Sequence, residues 1–188
     1  WNDAGFVGSI LLLIFFSIWI VFDILRIYRV RRMLIAIERY DVDKLRKIAT
    51  HATSDMYWAE ERIGKDRMKG AYAYKKLLDI HGKVALGTDF PVEYVSPFYT
   101  FHAAVARQDG NNYPSGGFQK HDALTREETL RGMTIWAAYS NFEENEKGSI
   151  ENGKFADFVF LDKNIMEVDE KVIRDIKVTA IFVGGEKQ

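Results

Sequence analysis

An uncharged apolar run near the start of the chain is its longest hydrophobic feature. It extends from Ala4 to Phe22, "AGFVGSILLLIFFSIWIVF", which is about the length that a helix needs to cross the hydrocarbon core of a bilayer. Four arginines follow within ten residues, and such a basic flank stays on the cytoplasmic side. The pattern predicts an apolar, membrane-spanning helix with a basic flank over residues 1–32. A buried core helix, or a segment foreign to the natural domain, is the alternative.

From Met33 to Ile48 apolar residues recur at mixed helical spacing with charges between them, which predicts a connecting helix over residues 33–49. Between Asp23 and Lys47 there are eight Lys or Arg and four Asp or Glu. This local basic excess suits an anionic membrane face, and it equally suits a solvated helix face.

Two helices are predicted in the middle of the chain. The first runs from Gly64 or Lys65 to Ile80 and stops at Gly82. The second lies in "SPFYTFHAAVARQD", where a serine followed by proline is a typical helix start. Between them, "KVALGTD" has the short apolar run of a buried strand, which we expect over residues 84–87.

The last third of the chain combines one helix with strands. Thr125 and Glu128 have the spacing of a capping box, so an amphipathic helix is predicted from there to about Asn141. Beyond it, "GSIENGKFADFVFLDKN" and "IKVTAIFVGG" alternate apolar and polar residues between glycines, which is typical of antiparallel strands.

Composition narrows the possible chemistry. A formal net charge of -1 gives no global attraction to nucleic acid, so we expect no nucleic-acid partner. The chain has no cysteine, which excludes disulfides and thiolate zinc sites and leaves His, Asp and Glu as the strong metal ligands. It begins at Trp1, so it can be a processed product or a piece of a longer protein.

Asp89 is the first candidate for chemistry, because it directly follows the predicted strand in "KVALGTDFPVE". In a parallel α/β barrel the C-terminal ends of the strands present the catalytic and metal-binding side chains. A turn or helix-capping aspartate is the alternative that the local pattern leaves open.

Four stretches together resemble one family, and the resemblance runs from about Thr50 to the end, which is about three quarters of the chain. They are "THATSDMYWAEERIG", "ALGTDFPVE", "LTREETLRGMTIWAAYSNFEE" and "GSIENGKFADFVFLDKN". In order and spacing they resemble the amidohydrolase superfamily of metal-dependent hydrolases, and within it the branch of the N-substituted formamide deformylases.

The resemblance implies roles for two residues. "GTD" is similar to the end of the last barrel strand, where the family's aspartate binds a divalent metal, with zinc expected, or takes a proton from the attacking water. Asp89 is therefore the expected catalytic residue and metal ligand. His51 falls after the preceding strand position, where the family places substrate-facing residues; a surface or structural histidine is the alternative.

The departures from the family pattern limit this expectation. No H-x-H pair occurs in the chain, and the other three histidines, His81, His102 and His121, do not stand at predicted strand ends. One carboxylate cannot hold a catalytic metal, since such a site needs three or more protein ligands. We therefore expect an incomplete site that does not retain the metal in this chain alone.

The sequence thus predicts an α/β fold. Residues 50–146 are expected to be the C-terminal portion of a (β/α)8 TIM-type barrel, and residues 147–188 strands of a small β-sandwich. The implied activity is hydrolysis of a C–N bond in an amide, formamide or cyclic amide, with the chain inactive alone. A membrane-anchored, non-catalytic interaction module and a split enzyme completed by a second chain are the alternatives.

Partners and location follow from these expectations. The implied substrate is a small amide-type molecule, and exposed strand edges are expected to favour association. A genuine spanning helix over Ala4 to Phe22 would anchor the protein in a membrane with a cytoplasmic C-terminal part. Otherwise the protein is expected in the cytoplasm.

Overall fold

A computed structural model describes residues 47–48 and 50–188 of the chain. The predicted spanning helix of residues 1–32 and most of the predicted connecting helix lie outside these residues. Of the helices that the structure describes, none combines the length and apolar character needed to cross a membrane.

The elements follow one another with short connections. The α-helices are α1 (His51–Ser54), α2 (Ala59–Ile63), α3 (Lys65–Met68), α4 (Tyr74–His81), α5 (Pro97–Ala106), α6 (Arg126–Met133) and α7 (Ile135–Ser140). Short 3₁₀ helices span Asp55–Tyr57, Lys120–Asp122 and Glu170–Asp175. The strands are β1 (Lys47–Ile48), β2 (Leu86–Gly87), β3 (Phe158–Leu161), β4 (Val178–Val183) and β5 (Glu186–Lys187).

The first two strands form a parallel pair. Lys47 lies opposite Leu86 and Ile48 opposite Gly87. The chain therefore enters a strand at the point where the connecting helix over residues 33–49 was predicted to end, and for residues 47–48 that prediction is wrong. Helical spacing could not reveal this, because a two-residue strand is defined by its partner β2 and not by a local pattern.

The helix predicted from Gly64 or Lys65 to Ile80 is interrupted. α3 ends at Met68, and α4 begins only at Tyr74. In the break, Tyr72 has a φ of 56°, which is uncommon for a residue other than glycine. Two contacts hold it: its hydroxyl donates to Asp55 at 2.8 Å, and its carbonyl accepts from Arg107 at 3.1 Å.

Two predicted helix boundaries are confirmed, the end of α4 and the start of α5. Gly82 closes α4 with a φ of 73°, and its N–H donates to the Leu78 carbonyl at 2.7 Å, as expected for a left-handed glycine cap. α5 begins at Pro97 after an extended Ser96, although the serine side chain makes no capping hydrogen bond.

Helix α5 is the centre of the packing. Every residue from Thr100 to Ala106 is buried, and a helix that is buried all round belongs to a core. The main cluster joins it to α4 and β2; its members are Ala52, Tyr74, Leu78, Val84, Leu86, Ala103, Ala104 and Leu124.

The capping box at the start of α6 is confirmed. The Thr125 hydroxyl accepts from the Glu128 N–H at 3.1 Å, and the Glu128 carboxylate accepts from the Thr125 N–H at 2.8 Å. The helix does not run unbroken to Asn141, because it breaks at Thr134. The Thr134 hydroxyl donates to the Leu130 carbonyl at 2.7 Å, a back-bond that often bends helices.

The predicted antiparallel strands are confirmed in a separate sheet ordered β3-β4-β5. Phe158 lies opposite Phe182 and Val159 opposite Ile181. The sheet leaves apolar side chains exposed from both β3 and β4, among them Val159, Phe160, Val178, Ile181 and Val183.

The segment between β3 and β4 packs back onto the helices. Ile173 of the last 3₁₀ helix is fully buried against Phe101 of α5. The Arg126 guanidinium donates to the carbonyls of Ile165 and Val168. These contacts fix the segment between β3 and β4 on helices α5 and α6.

Candidate active site at the ends of the parallel strands

Asp89 lies two residues after the end of β2. It is half-buried and has a φ of 54°, a left-handed conformation in which Asp is enriched among residues other than glycine. The turn that follows is closed by the Val92 N–H, which donates to the Asp89 carbonyl at 2.8 Å, and the Phe90 N–H donates to the Thr88 hydroxyl at 3.3 Å. The backbone of Asp89 thus makes the turn, while its carboxylate stands at a strand end.

His51 lies in the segment that follows β1. It is the first residue of α1, three residues beyond the end of the strand, and it is half-buried. Because β1 and β2 run parallel in register, the residues that follow both strands emerge at the same edge. The topology therefore brings the two site residues expected from the sequence to one edge.

A hydrogen bond joins the two segments that carry these residues. The Ser54 hydroxyl at the end of α1 donates to the Glu93 carboxylate at 2.5 Å. Sequence reasoning did not single out this pair, since the partners are 39 positions apart. A local signal existed only for Glu93, the one charged residue within the apolar stretch "FPVEYV".

A tyrosine extends this edge to the loop after α5. Tyr57 donates to the Asp109 carboxylate at 2.5 Å and stacks on Tyr113 with ring centroids 6.1 Å apart. The hydrogen bond to Asp109 raises the pKa of Tyr57 to about 12. Asp109 also accepts from the backbone N–H groups of Asn111 and Tyr113, and its role is to hold that loop.

The remaining histidines lie elsewhere in the fold. His81 is the exposed last residue of α4. His102 is buried inside α5 with 1% of its surface exposed. His121 is exposed and lies 3.2 Å from the Asp122 carboxylate. None of the three follows β1 or β2, which agrees with the sequence expectation that they are structural or solvent-facing.

The residues that the structure describes do not form a complete metal centre. Over the part of the chain that the structure describes, three or more His, Asp or Glu side chains nowhere come together in a way that could hold a metal ion. A catalytic zinc needs three protein ligands in fixed geometry. Asp89 can contribute one ligand, and among the described residues no further pair of His, Asp or Glu side chains is grouped with it.

A protein-family model matches the part of the chain that contains this edge. The family model described as "Amidohydrolase family" matches residues 40–187. The match begins ten residues before Thr50, where the resemblance was expected to start, so it includes β1.

The chain is similar to three curated proteins. It is 29% identical to the putative amidohydrolase YtcJ of Bacillus subtilis over 71% of this chain and 25% of that protein. It is 32% identical to the protein LONG AFTER FAR-RED 3 of Arabidopsis thaliana over 73% of this chain and 23% of that protein. It is 31% identical to an N-substituted formamide deformylase of Arthrobacter pascens over 61% of this chain and 20% of that protein.

A solved structure agrees with these matches. An uncharacterized metal-dependent hydrolase from Pyrococcus horikoshii superimposes with a TM-score of 0.57 at 29% identity, over 65% of this chain and 25% of that chain. The chain thus spans about a quarter of the length of the relatives it matches.

Proposed function

Because this chain belongs to the amidohydrolase family, we propose that it supplies the last part of a metal-dependent site that hydrolyses a C–N bond in a small amide, formamide or cyclic amide. In this proposal residues 50–146 are the C-terminal portion of a (β/α)8 barrel. Residues 147–188 are strands of the flanking β-sandwich.

One observation carries the proposal. A carboxylate follows the second strand of a parallel pair, and that pair lies inside the segment that matches the family model. Strand ends of this kind present catalytic side chains in α/β barrels. His51, after the neighbouring strand, faces the substrate in this proposal.

Asp89 performs proton transfer in the complete site. Its carboxylate accepts a proton from the attacking water and passes that proton to the leaving nitrogen, as a general base that becomes a general acid. The divalent metal of the family, which we take to be zinc, polarises the amide carbonyl when it is bound. Since the described residues do not assemble a metal centre, no reaction step is assigned to a metal held by this chain alone.

Zinc titration tests this role of Asp89. We expect zinc added to the ¹⁵N-labelled chain to bind weakly and to shift amide signals near Asp89. Asp89→Asn should abolish those shifts, because it removes the charge while keeping a residue that tolerates the left-handed conformation. Asp66→Asn is the matched control, since Asp66 is 95% exposed and pairs only with Lys69 at 2.9 Å among the ion pairs described.

Three results would count against the proposal. Zinc-induced shifts that persist in Asp89→Asn would remove Asp89 from the metal site, and a chain with no zinc response there would favour the non-catalytic interaction module. The chain alone should also release no product from simple amides. Stoichiometric tight zinc, measured by elemental analysis and lost in Asp89→Asn, would contradict the incomplete site.

A further inference from the structure

A turn between α7 and β3 contains the only asparagine–glycine pair of the chain, Asn152–Gly153. Both residues are exposed, and across them the Lys154 N–H donates to the Glu151 carbonyl at 3.2 Å. Gly153 has a φ of 90°, a left-handed conformation that glycine adopts without steric cost. The two residues are thus the centre of a tight surface turn.

The described structure leaves the reactive atoms of this pair accessible. A β-carbon added at Gly153 would have no neighbour within 4 Å beyond the adjoining residues. Neither the Gly153 N–H nor the Asn152 side chain makes a hydrogen bond to another described residue. Because glycine has no β-carbon, its backbone nitrogen can also approach a neighbouring group closely. The backbone nitrogen of Gly153 and the side-chain amide of Asn152 can therefore meet.

We propose that Asn152 is a site of spontaneous covalent modification, in which the Gly153 backbone reacts with the Asn152 side-chain amide. The Gly153 nitrogen loses its proton and bonds to the Asn152 Cγ atom, while the Cγ–Nδ2 bond breaks and ammonia leaves. Water then opens the resulting succinimide at either carbonyl, which gives aspartate or isoaspartate. Water is the only co-reactant, and the site is independent of Asp89 and of the proposed function.

The pair Asp109–Gly110 has the same following glycine, but the fold restrains it. The Asp109 carboxylate accepts from the Tyr57 hydroxyl at 2.5 Å and from the N–H groups of Asn111 and Tyr113 at 2.7 and 2.9 Å. Ring closure at Asp109 would have to break these hydrogen bonds, and buried or shared hydrogen bonds are costly to lose. A following glycine alone therefore does not make a residue of this chain reactive.

Exposure alone does not do so either. Asn145 is as exposed as Asn152 by class, but Glu146 follows it, and the Glu146 N–H donates to the Glu143 carbonyl at 2.9 Å. The attacking nitrogen is thus engaged and carries a side chain on its own residue. Asn152 combines exposure, a following glycine and an N–H without a described acceptor.

Conversion would change the turn in two ways. A carboxylate replaces a neutral amide, so the formal net charge of the chain goes from -1 to -2. Isoaspartate also adds one methylene to the backbone inside the turn. The Lys154 ammonium lies 2.8 Å from the Glu151 carboxylate across this turn and donates to the Ser149 hydroxyl at 2.6 Å. The lengthened backbone therefore lies between the partners of an ion pair.

Ageing of the folded chain in ¹⁸O-labelled water at neutral pH tests the proposal. Trypsin releases residues 148–154 as one peptide, apart from the peptides that contain Asn145 and Asp109. We expect ¹⁸O to enter residues 148–154 at least about tenfold faster than either of the other two peptides. Anion-exchange chromatography of the intact chain should show a more acidic form that grows at the same rate.

Matched variants and free peptides assign the reaction to the pair and to the fold. Asn152→Gln should abolish the labelling of residues 148–154, because its longer side chain closes a ring less readily, and Asn145→Gln should leave it unchanged. The folded chain should react at Asn152 within about tenfold of a synthetic peptide of residues 148–154. Asp109 should isomerise faster in a synthetic peptide of residues 108–120 than in the folded chain.

Four outcomes would overturn the proposal. They are no labelling of residues 148–154, labelling that persists in Asn152→Gln, equal labelling of the peptide that contains Asn145, and a folded chain that reacts far more slowly at Asn152 than the free peptide. The last outcome would show that the turn protects the pair. None of these measurements involves zinc or an amide ligand, so they leave the test of Asp89 separate.

Discussion

Two buried polar residues of α5 and its C-cap show how single side chains stabilise this fold. Arg107, at a φ of 58°, is completely buried. It donates to the carbonyls of Phe118 and Tyr72 at 2.9 and 3.1 Å and to the side chain of Gln119 at 3.3 Å. A buried charge is tolerated only with such partners. Arg107 therefore ties α5 to the turn before α4 and to the polar loop.

His102 is buried one turn earlier without comparable partners. Its Nε2 atom has no hydrogen-bond partner. Burial has the largest effect and lowers the pKa of His102 to about 4. The positive charges of Arg174 and Lys120 act in the same direction. A hydrogen bond with Asn112 and the negative charge of Glu170 raise the pKa, but they offset only part of this lowering. The imidazole is neutral at pH 7 in the folded chain.

This burial predicts acid sensitivity. Between the ordinary histidine pKa of 6.5 and about 4, the unfolded chain binds a proton that the folded chain does not. The free energy of unfolding therefore falls as pH falls through this range, by about 2 kcal/mol between pH 7 and 4.5 at 1.36 kcal/mol per pH unit. Urea unfolding at a series of pH values measures it.

The variant His102→Gln isolates this contribution from that of the carboxylates. In this variant the free energy of unfolding should lose the part of its pH dependence that His102 contributes and keep the rest. An unchanged slope in this variant would show that His102 is accessible to protons in the folded state.

At the scale of elements, helix starts depend on whether the capping side chain bonds. Thr125 and Glu128 exchange two hydrogen bonds at the start of α6, whereas Ser96 at the start of α5 makes none with its side chain. The two starts look similar in sequence, but tertiary packing and Pro97 position α5. Only the start of α6 should therefore depend on the hydroxyl of its capping residue, Thr125.

We therefore expect Thr125→Ala to lower the free energy of unfolding by about 1 kcal/mol. Ser96→Ala is the matched control and should change it by less than about 0.5 kcal/mol. Urea unfolding followed by circular dichroism compares the two. Equal losses would contradict the capping geometry.

At the scale of the whole molecule, the three-stranded sheet leaves apolar side chains exposed. Phe158 stacks on Phe182 with centroids 4.8 Å apart, while Val159 and Phe160 of the edge strand β3 remain half exposed. An uncharged apolar edge strand can pair with another chain.

Concentration-dependent self-association is the expected consequence. Val159→Lys should reduce it, because a charge on the edge strand opposes pairing. Ile150→Lys is the control: Ile150 is more exposed, at 85%, but lies outside the strands. Sedimentation velocity over a range of concentrations distinguishes the two variants. Equal suppression by both would indicate general hydrophobic association instead of edge pairing.

The sequence by itself determined the features that depend on neighbouring residues. The capping box of Thr125, the glycine stop at Gly82 and the antiparallel strands near the C-terminus follow from short-range hydrogen bonding and alternation. Resemblance added the family and the expectation that Asp89 stands at a strand end. The role of Asp89 stays a prediction until zinc binding is measured.

Only the tertiary structure decided the features that depend on distant contacts. β1 exists through its pairing with β2, and the break at Tyr72 through Asp55 and Arg107. Gly132 shows the same dependence, since a β-carbon there would lie 2.8 Å from Leu86. The Ser54–Glu93 bond likewise spans 39 positions. Such contacts leave no periodic signal along the chain, because folding, not sequence spacing, brings their partners together.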